Sequence, residues 1–205
     1  MTPNQEHKPT HPKENHTMKI VPLHSSYMEQ LIDLADREIG VSYYSQHEIL
    51  EQIKRSSWQG KQLSYLAFDK DELIGFRLTS APGKWNHGRG MGLSPHLWNF
   101  PVEDSAYFQS CFIASSHMGR GIGKQLSLAC IDTLKGENIP QVIAHSWKES
   151  PHNSSFRYLT KLGFVPVIEY PDYWKEVDYE CSLDGNPCRC TAIEMALDLS
   201  KSSVC

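Results

Sequence analysis

The chain has 205 residues and a formal charge of −4, which is enough sequence for one domain with a substantial core. It lacks a block of Lys or Arg and an apolar run near the roughly 20 residues of a membrane span, which argues against nucleic acid or a membrane as the main partner. Six cysteines spread from position 111 to position 205 suggest reduced thiols in a cytoplasmic protein rather than a disulfide framework.

The first 17 residues contain three prolines, three histidines and no aromatic residue. This composition is typical of a disordered tail, so we expect the folded domain to occupy residues 18–205. A first strand is predicted at residues 18–23. Two capping boxes, Ser26 to Glu29 and Ser45 to Glu48, then predict the starts of two helices.

Residues 62–68 and 73–79 alternate between apolar and polar side chains, which predicts two antiparallel strands. Residues 81–104 then show no period, although they include Trp85 and Trp98. Loops this long within compact domains tend to be functional or disordered. The aromatic residues favour an ordered loop, either over a substrate site or as a structural excursion.

Residues 106–136 are the centre of the sequence. They begin with a strand rich in aromatic residues, make a glycine-rich turn and continue as a helix with apolar positions at helical spacing. Unpaired N–H groups and the helix dipole favour an anion at such a helix start. Gly119, Gly121 and Gly123 would let a pyrophosphate approach closely. A plain tight turn has the same pattern.

A second group of elements follows this unit. Residues 141–147 are a short apolar run, which predicts a buried strand parallel to the first. Residues 150–164 predict a helix with Ser150 as its N-cap and Gly163 just past its end. Two more strands are predicted, at 165–170 and from 193, where apolar residues alternate with Glu194 and other residues of the opposite face.

Two motifs at this spacing resemble those of the GNAT family of acetyl-CoA-dependent N-acetyltransferases. Residues 120–123, Arg-Gly-Ile-Gly, resemble the family's pyrophosphate loop, and residues 161–164, Lys-Leu-Gly-Phe, resemble the end of its next helix. The resemblance covers about residues 18–199. Met118 and Leu159 depart from the pattern, because the family usually has Arg or Gln and Tyr there. The predicted fold is mixed α/β (α+β), a twisted sheet of about seven strands with helices on both faces, as the family implies.

The resemblance implies acetyl-CoA as donor and assigns a set of residues to it. The N–H groups at the end of the central strand would polarise the thioester, the glycine loop would hold the pyrophosphate, and the next helix would add a polar contact. The candidate donor-binding residues are Phe112, Ile113, Ala114, Met118, Gly119, Arg120, Gly121, Ile122, Gly123, Lys124 and Asn153.

Acetyl transfer also needs a base for the amine and an acid for the departing thiolate. Glu103 is our first choice of base, because carboxylates near that strand face the acceptor in the family. Asp104, His145, Glu149 and a chain of waters are alternatives. For the acid, the family's helical tyrosine falls on Leu159. Tyr158 lies one step, about 100°, around the helix, so it serves only if the helix is shifted; otherwise another group serves or the thiolate leaves unassisted.

A third constellation lies between the two final strands. Cys181, Cys188 and Cys190 lie within ten residues of one another, and Asp184 offers an oxygen ligand. These groups could converge on one zinc ion. A hairpin with free thiols is the alternative, because the spacing is unusual for zinc and thiols two apart on a strand point oppositely.

The sequence thus predicts an acyltransferase that moves an acetyl group from acetyl-CoA to an unidentified amine, of a small molecule or a protein, in a ternary complex. The protein would act as a monomer or homodimer. Two alternatives stay open: a domain of the same fold that binds acyl-CoA without catalysis, and a metal-stabilised interaction module.

Overall fold

The computed structural model describes residues 18–86, 88–90 and 92–200, and the predicted tail lies outside these residues. The helices and strands follow the predicted order, with one additional short hairpin, β2–β3. They are β1 Met18–Pro22, α1 Met28–Glu38, α2 Gln46–Arg55, β2 Ser57–Trp58, β3 Lys61–Gln62, β4 Tyr65–Asp69, β5 Glu72–Ser80, β6 Ser105–Ile113, α3 Ile122–Gly136, β7 Gln141–Trp147, α4 Ser154–Lys161, β8 Val165–Tyr170 and β9 Ala192–Asp198.

Seven of the strands form one mixed sheet in the order β1-β4-β5-β6-β7-β9-β8. β6 and β7 are parallel, and the other neighbours are antiparallel. Helices α1 and α2 pack on one face, where Phe76 is a central buried side chain, and α3 and α4 pack on the other, around Phe108. The predicted seven-stranded sheet with helices on both faces is confirmed. Within the described residues, none of these helices is long and apolar enough to cross a membrane.

The two predicted capping boxes have different outcomes. At the start of α2, Glu48 N–H donates to Ser45 Oγ at 3.2 Å and Ser45 N–H donates to Glu48 Oε2 at 2.9 Å, so this box is confirmed. The box at Ser26 is wrong. Ser26 N–H donates instead to His24 Nδ1 at 3.2 Å, because a short 3-10 turn, Ser25–Tyr27, precedes α1.

The loop at residues 81–104 covers one face of the sheet. Trp85 stacks between Tyr107 and Trp98, with ring centres 4.7 and 6.0 Å away. The loop also buries Glu194 of β9 completely, because Ser94 N–H and Trp98 Nε1 both donate to its carboxylate, at 3.1 and 2.8 Å. Glu194 alternates with the apolar residues of β9, so it points to the opposite face of the sheet, and the loop covers that face.

Gly90 is the tightest point of contact between this loop and the segment after β8. A Cβ atom at Gly90 would lie 2.2 Å from the backbone oxygen of Tyr173 and 2.3 Å from its ring. We expect Gly90→Ala to lower the free energy of unfolding by about 1–3 kcal/mol, as overpacking does. Gly136→Ala is the matched control, because a Cβ there meets nothing within 4 Å and lies in a helix. Denaturant unfolding checks both, and equal stability of the two variants would contradict this packing.

Candidate active site

The central parallel strands separate before they end. Their paired residues run from Ser105 and Gln141 to Phe108 and Ala144. Beyond that point β6 continues for five residues, to Ile113, and β7 for three. A cleft therefore opens between the carboxyl ends of the two strands.

A β-bulge lies where the strands separate. Thr79 of β5 pairs with Phe108, and Leu78 pairs with Ser110, which leaves Gln109 as an extra residue in β6. Such a bulge bends a strand and increases its local twist. The second half of β6 thus turns away from β7.

The backbone edge that faces this cleft belongs to Cys111 and Ile113. Ala114 donates its N–H to the carbonyl of Ile74 at 2.9 Å, on the β5 side. Peptide groups alternate in direction along a strand, so the N–H of Phe112 also faces β5. Those of Cys111 and Ile113 point the other way. Of the three N–H groups predicted to polarise a thioester, only that of Ile113 faces the cleft.

A cavity of about 710 Å³ occupies the cleft and extends through it. Most of the predicted donor contacts line this cavity, namely Phe112, Ile113, Met118, Gly119, Gly121, Ile122, Gly123 and Lys124. Ala114, Arg120 and Asn153 are not among its lining residues. The side chain of Arg120 turns back to the carbonyl of Ser116, at 3.4 Å, and Asn153 starts α4 in a left-handed conformation. Ser154, the next residue, lines the cavity in its place.

The glycine loop presents a helix start to the cavity. Gly119 and Gly121 have φ values of 77° and 76°, a region that favours glycine, and Gly121 is the N-cap of α3. The N–H of Gln125 donates to the carbonyl of Gly121 at 3.1 Å and so begins the helical hydrogen bonds. The N–H groups of residues 122–124 precede that bond and point out of the helix. Together with the helix dipole they favour an anion here.

A buried arginine and a tyrosine stand beside the cleft on the face of α3 and α4. Arg77 donates from Nε to Ser127 Oγ and from Nη2 to the Tyr158 hydroxyl, both at 3.1 Å. Its guanidinium carbon lies 4.4 Å from the ring centre of Phe108. Tyr158 donates to the carbonyl of Gly123 at 2.8 Å. Burial raises the pKa of Tyr158, so its hydroxyl keeps the proton at neutral pH.

Tyr158 and Leu159 both line the cavity, but only Tyr158 brings a polar group to it. Leu159 also packs in the core and is only 4% exposed, whereas Tyr158 carries a hydroxyl. The family's tyrosine position thus holds a buried leucine, and the residue before it supplies a hydroxyl at the cavity.

A buried histidine lies at the other end of the cavity. His145 of β7 has its Nε2 atom 3.5 Å from Oε2 of Glu194. Its Nδ1 atom lies 2.9 Å from the hydroxyl of Tyr107 and 3.1 Å from that of Tyr173. A neutral ring with its proton on Nε2 suits these partners, because Nδ1 then accepts from a tyrosine. Burial lowers the pKa of His145 and so favours this neutral form.

Arg89, from the loop at residues 81–104, forms a further part of the wall. Its guanidinium carbon lies 4.3 and 4.7 Å from the ring centres of Tyr43 and Tyr44, and its Nη1 atom pairs with Glu48 at 3.1 Å. Arg89 and Tyr43 both line the cavity. The aromatic loop between α1 and α2 and the long loop after β5 thus meet at the cavity.

The structure separates the other candidate bases from this cavity. Glu103 lies in the 3-10 turn Val102–Asp104, before β6 and next to the region where β6 still pairs with β7, and it does not line the cavity. Asp104 is in the same turn. The carboxylate of Glu149 accepts from Thr191 N–H at 2.9 Å and is also absent from the lining. His145 is the only one of the four candidate side chains that lines the cavity.

The cavity is also lined by Arg77, Arg89 and Tyr107, which were not predicted from the sequence. Arg77 could have been noticed, since it is the single charge within the otherwise uncharged residues 73–79 of β5. No sequence pattern indicated that Arg89 or Tyr107 would line the cavity, because this depends on how a loop folds over the sheet. Cys181, Cys188 and Cys190, predicted as metal ligands, lie together next to Trp147 and Trp174 at the border of the cavity.

Comparison with known proteins agrees with this geometry. Residues 28–164 match the family model described as "Acetyltransferase (GNAT) family". No curated protein sequence matches the chain significantly. Many solved structures share its fold.

Three of the similar structures come from two bacteria and a plant. The ribosomal-protein-S18-alanine N-acetyltransferase from Escherichia coli is 14% identical, with a TM-score of 0.64 over 92% of this chain and 97% of that one. The putative acetyltransferase yncA from Salmonella typhimurium, with its cofactor acetyl-CoA, is 15% identical, with a TM-score of 0.65 over 92% and 98%. Arabidopsis thaliana Naa50, in complex with the bisubstrate analogue CoA-Ac-MVNAL, is 14% identical, with a TM-score of 0.62 over 88% and 98%.

The family model spans well over half of the chain, and its match includes the glycine loop, the separated strands and the Lys-Leu-Gly-Phe end of α4. The chain therefore belongs to the GNAT family of acetyltransferases.

Proposed function

We propose that this protein transfers the acetyl group of acetyl-CoA directly to an amine while both substrates are bound. The observation that carries this proposal is the continuity of one cavity from the glycine loop, along the free edge of β6, to His145. A donor held at the loop would bring its thioester towards a side chain that accepts a proton. Family membership supports the same reaction, and so do similar structures with CoA or acetyl-CoA bound.

The donor would be bound mostly by backbone groups. The N–H groups of residues 122–124 would hold its pyrophosphate, helped by the positive charge of Lys124. The arm that follows contains amide groups, which suit the exposed N–H and C=O groups of Cys111 and Ile113. It would lie against β6 as an additional strand does, and the N–H of Ile113 would polarise the thioester carbonyl.

The acceptor must lose a proton before it can attack, since an alkylammonium has a pKa of about 10.4. Tyr107 lines the cavity, and its hydroxyl lies 2.9 Å from Nδ1 of His145. The hydroxyl can take the ammonium proton while it passes its own proton to Nδ1. Glu194, 3.5 Å from Nε2, then stabilises the imidazolium that results.

The neutral amine then attacks the thioester carbon, so that a C–N bond forms and the C–S bond breaks. The departing thiolate develops negative charge on the face where Arg77 and Tyr158 lie. Arg77 is fully buried there, and its guanidinium favours negative charge nearby. The Tyr158 hydroxyl would give its proton to the thiolate, and the proton that the nitrogen loses as the amide forms would pass through solvent and restore that hydroxyl.

An acceptor screen tests the proposal directly. Acetyl-CoA would be incubated with the protein and a panel of small amines, amino acids and peptides with free N-termini or lysines, and released thiol would be measured. We expect at least one amine to accelerate thiol release far above the rate without acceptor. Tight donor binding with no turnover on any amine would instead favour the non-catalytic acyl-CoA-binding domain.

Donor affinity should depend on charge at Gly121. We expect wild-type affinity for CoA in the micromolar range, about −8 kcal/mol, and a loss for Gly121→Glu at least about tenfold greater than for Gly121→Gln. Both variants strain the same positive φ, but only Glu repels the pyrophosphate. Calorimetry with CoA measures both. Equal affinities of the two variants would remove the pyrophosphate from this loop.

A higher pH should partly restore the kcat of a variant that lacks the base. We expect His145→Gln to lower kcat by about 10²- to 10⁴-fold with CoA affinity unchanged, as loss of general-base catalysis does. The deficit should shrink as pH rises, because the amine then loses its proton to solvent. Tyr107→Phe should show the same trend, which guards against a fold defect in one variant. A deficit that is equal at every pH would contradict the assignment.

The same residue sets the acid limit of the wild-type rate. Burial lowers the pKa of His145 below its ordinary value of 6.5, so the base is protonated only in more acidic solution. We therefore expect kcat to decrease as pH falls through the pKa of His145. The midpoint of that decrease should lie below pH 6.5. A kcat limb assigned to His145 above that pH would contradict the buried, neutral ring.

Tyr158→Phe separates proton donation from packing. If the hydroxyl protonates the thiolate, kcat should fall by about 10²-fold without a change in CoA affinity. Ser127→Ala is the control, because it removes another hydroxyl that contacts both Arg77 and Tyr158. Equal losses in the two variants would mean that Tyr158 only positions Arg77.

A further inference from the structure

Three thiols and a carboxylate meet between β8 and β9, at a place that the acetyl-transfer reaction does not use. Each of Cys181, Asp184, Cys188 and Cys190 offers one ligand atom, and these four atoms lie within 4.8 Å of one another. We propose that they bind one zinc ion, and that this ion fixes one wall of the acceptor side of the cavity. Metal binding is independent of the proposed function, whereas the role of the ion at the acceptor side rests on it.

The distances suit a tetrahedral site. With Zn–S bonds of about 2.3 Å and a Zn–O bond of about 2.0 Å, two sulfurs lie about 3.8 Å apart and a sulfur and an oxygen about 3.5 Å apart. Cys181 Sγ lies 3.9 Å from Cys190 Sγ, and Cys190 Sγ lies 3.3 Å from Asp184 Oδ2. Small movements of the other ligand atoms would bring all four to tetrahedral distances.

The backbone around the four groups forms a closed turn. The segment is closed by a pair of backbone hydrogen bonds between Cys181 and Gly185, at 3.1 and 2.9 Å.

Cys188 and Cys190 can face the same ion although they are only two residues apart. Thiols two residues apart point oppositely only in a strand, and β9 begins at Ala192, after both Cys188 and Cys190. Both side chains are buried in the same cluster. Asp184 is also held in place, since its Oδ2 atom accepts from the N–H of Arg189 at 3.1 Å.

Simpler explanations account for less of the cluster. A disulfide between Cys181 and Cys190 would leave Cys188 and Asp184 without a role. A purely apolar cluster of thiols explains the neighbouring Trp174 but not a carboxylate 3.3 Å from a buried sulfur. A zinc ion accounts for all four groups.

The site borders the acceptor side of the cavity. Its thiols pack against Trp147, Trp174 and Tyr179, and the first two line the cavity together with Ser182. Four protein ligands fill a tetrahedral zinc ion and leave no position for substrate, so the ion would be structural. It would hold the aromatic wall in place, and its binding would be linked to folding of the segment.

Zinc content is the primary test. The full-length chain, expressed with zinc and freed of any tag, should hold about one zinc ion per chain by plasma mass spectrometry. Cys188→Ser should hold far less, whereas Cys111→Ser, which removes a thiol outside the cluster, should keep the ion. Both variants retain every histidine of the chain, so a difference between them assigns the metal to the cluster. Asp184→Cys should keep it, because a thiolate replaces the carboxylate.

Cobalt provides a test that survives a folding defect in Cys188→Ser. Wild-type protein stripped of zinc and titrated with cobalt(II) should show the visible bands of tetrahedral, thiolate-bound cobalt, and a chelator should lower the melting temperature of the zinc form. Stripped protein without these bands, purified protein without zinc, or a mapped Cys181–Cys190 disulfide would each overturn the proposal. None of these measurements uses acetyl transfer, so failure here is distinct from failure of the proposed function.

Discussion

The separation of β6 from β7 is the constraint on which the rest of this structure depends. A strand edge inside a protein carries N–H and C=O groups that must find partners, because a buried polar group without a hydrogen bond is costly. The bulge at Gln109 creates such an edge at Cys111 and Ile113 and keeps β7 from closing it. The edge thus selects a ligand that offers amide groups in an extended arrangement.

The two ends of the cleft carry buried polar groups of opposite character. On the side of α3 and α4, Arg77 is a buried cation held by hydroxyl groups and an aromatic face. On the other side, His145 is kept neutral by burial and backed by Glu194. Burying such groups is unfavourable unless they are held by partners. The arrangement favours negative charge where a thiolate would leave and proton acceptance where an amine would enter.

The features that could be predicted from sequence are those that local chemistry determines. The period of apolar residues, the glycines and the capping box at Ser45 define the elements, and they also locate the donor loop. The acceptor side was harder to predict from the sequence, because it depends on contacts between residues that are distant in the chain. Glu194 is buried only because the loop at residues 81–104 covers its face, and Glu103, chosen by its position along the chain, lies beside the paired part of β6 rather than at the cavity.

This division has a physical origin in how the two sides are built. Regular strands and helices form the donor side, and their hydrogen-bond ladders hold it in place. On the acceptor side the strands supply Tyr107 and His145, but the surrounding wall is formed by aperiodic segments, which include Arg89, Tyr43 and the chain between β8 and β9. A segment without a ladder needs other cross-links to stay ordered. Stacked aromatic rings, the contact at Gly90 and, in our proposal, a zinc ion are such cross-links, and the choice of amine would depend on them.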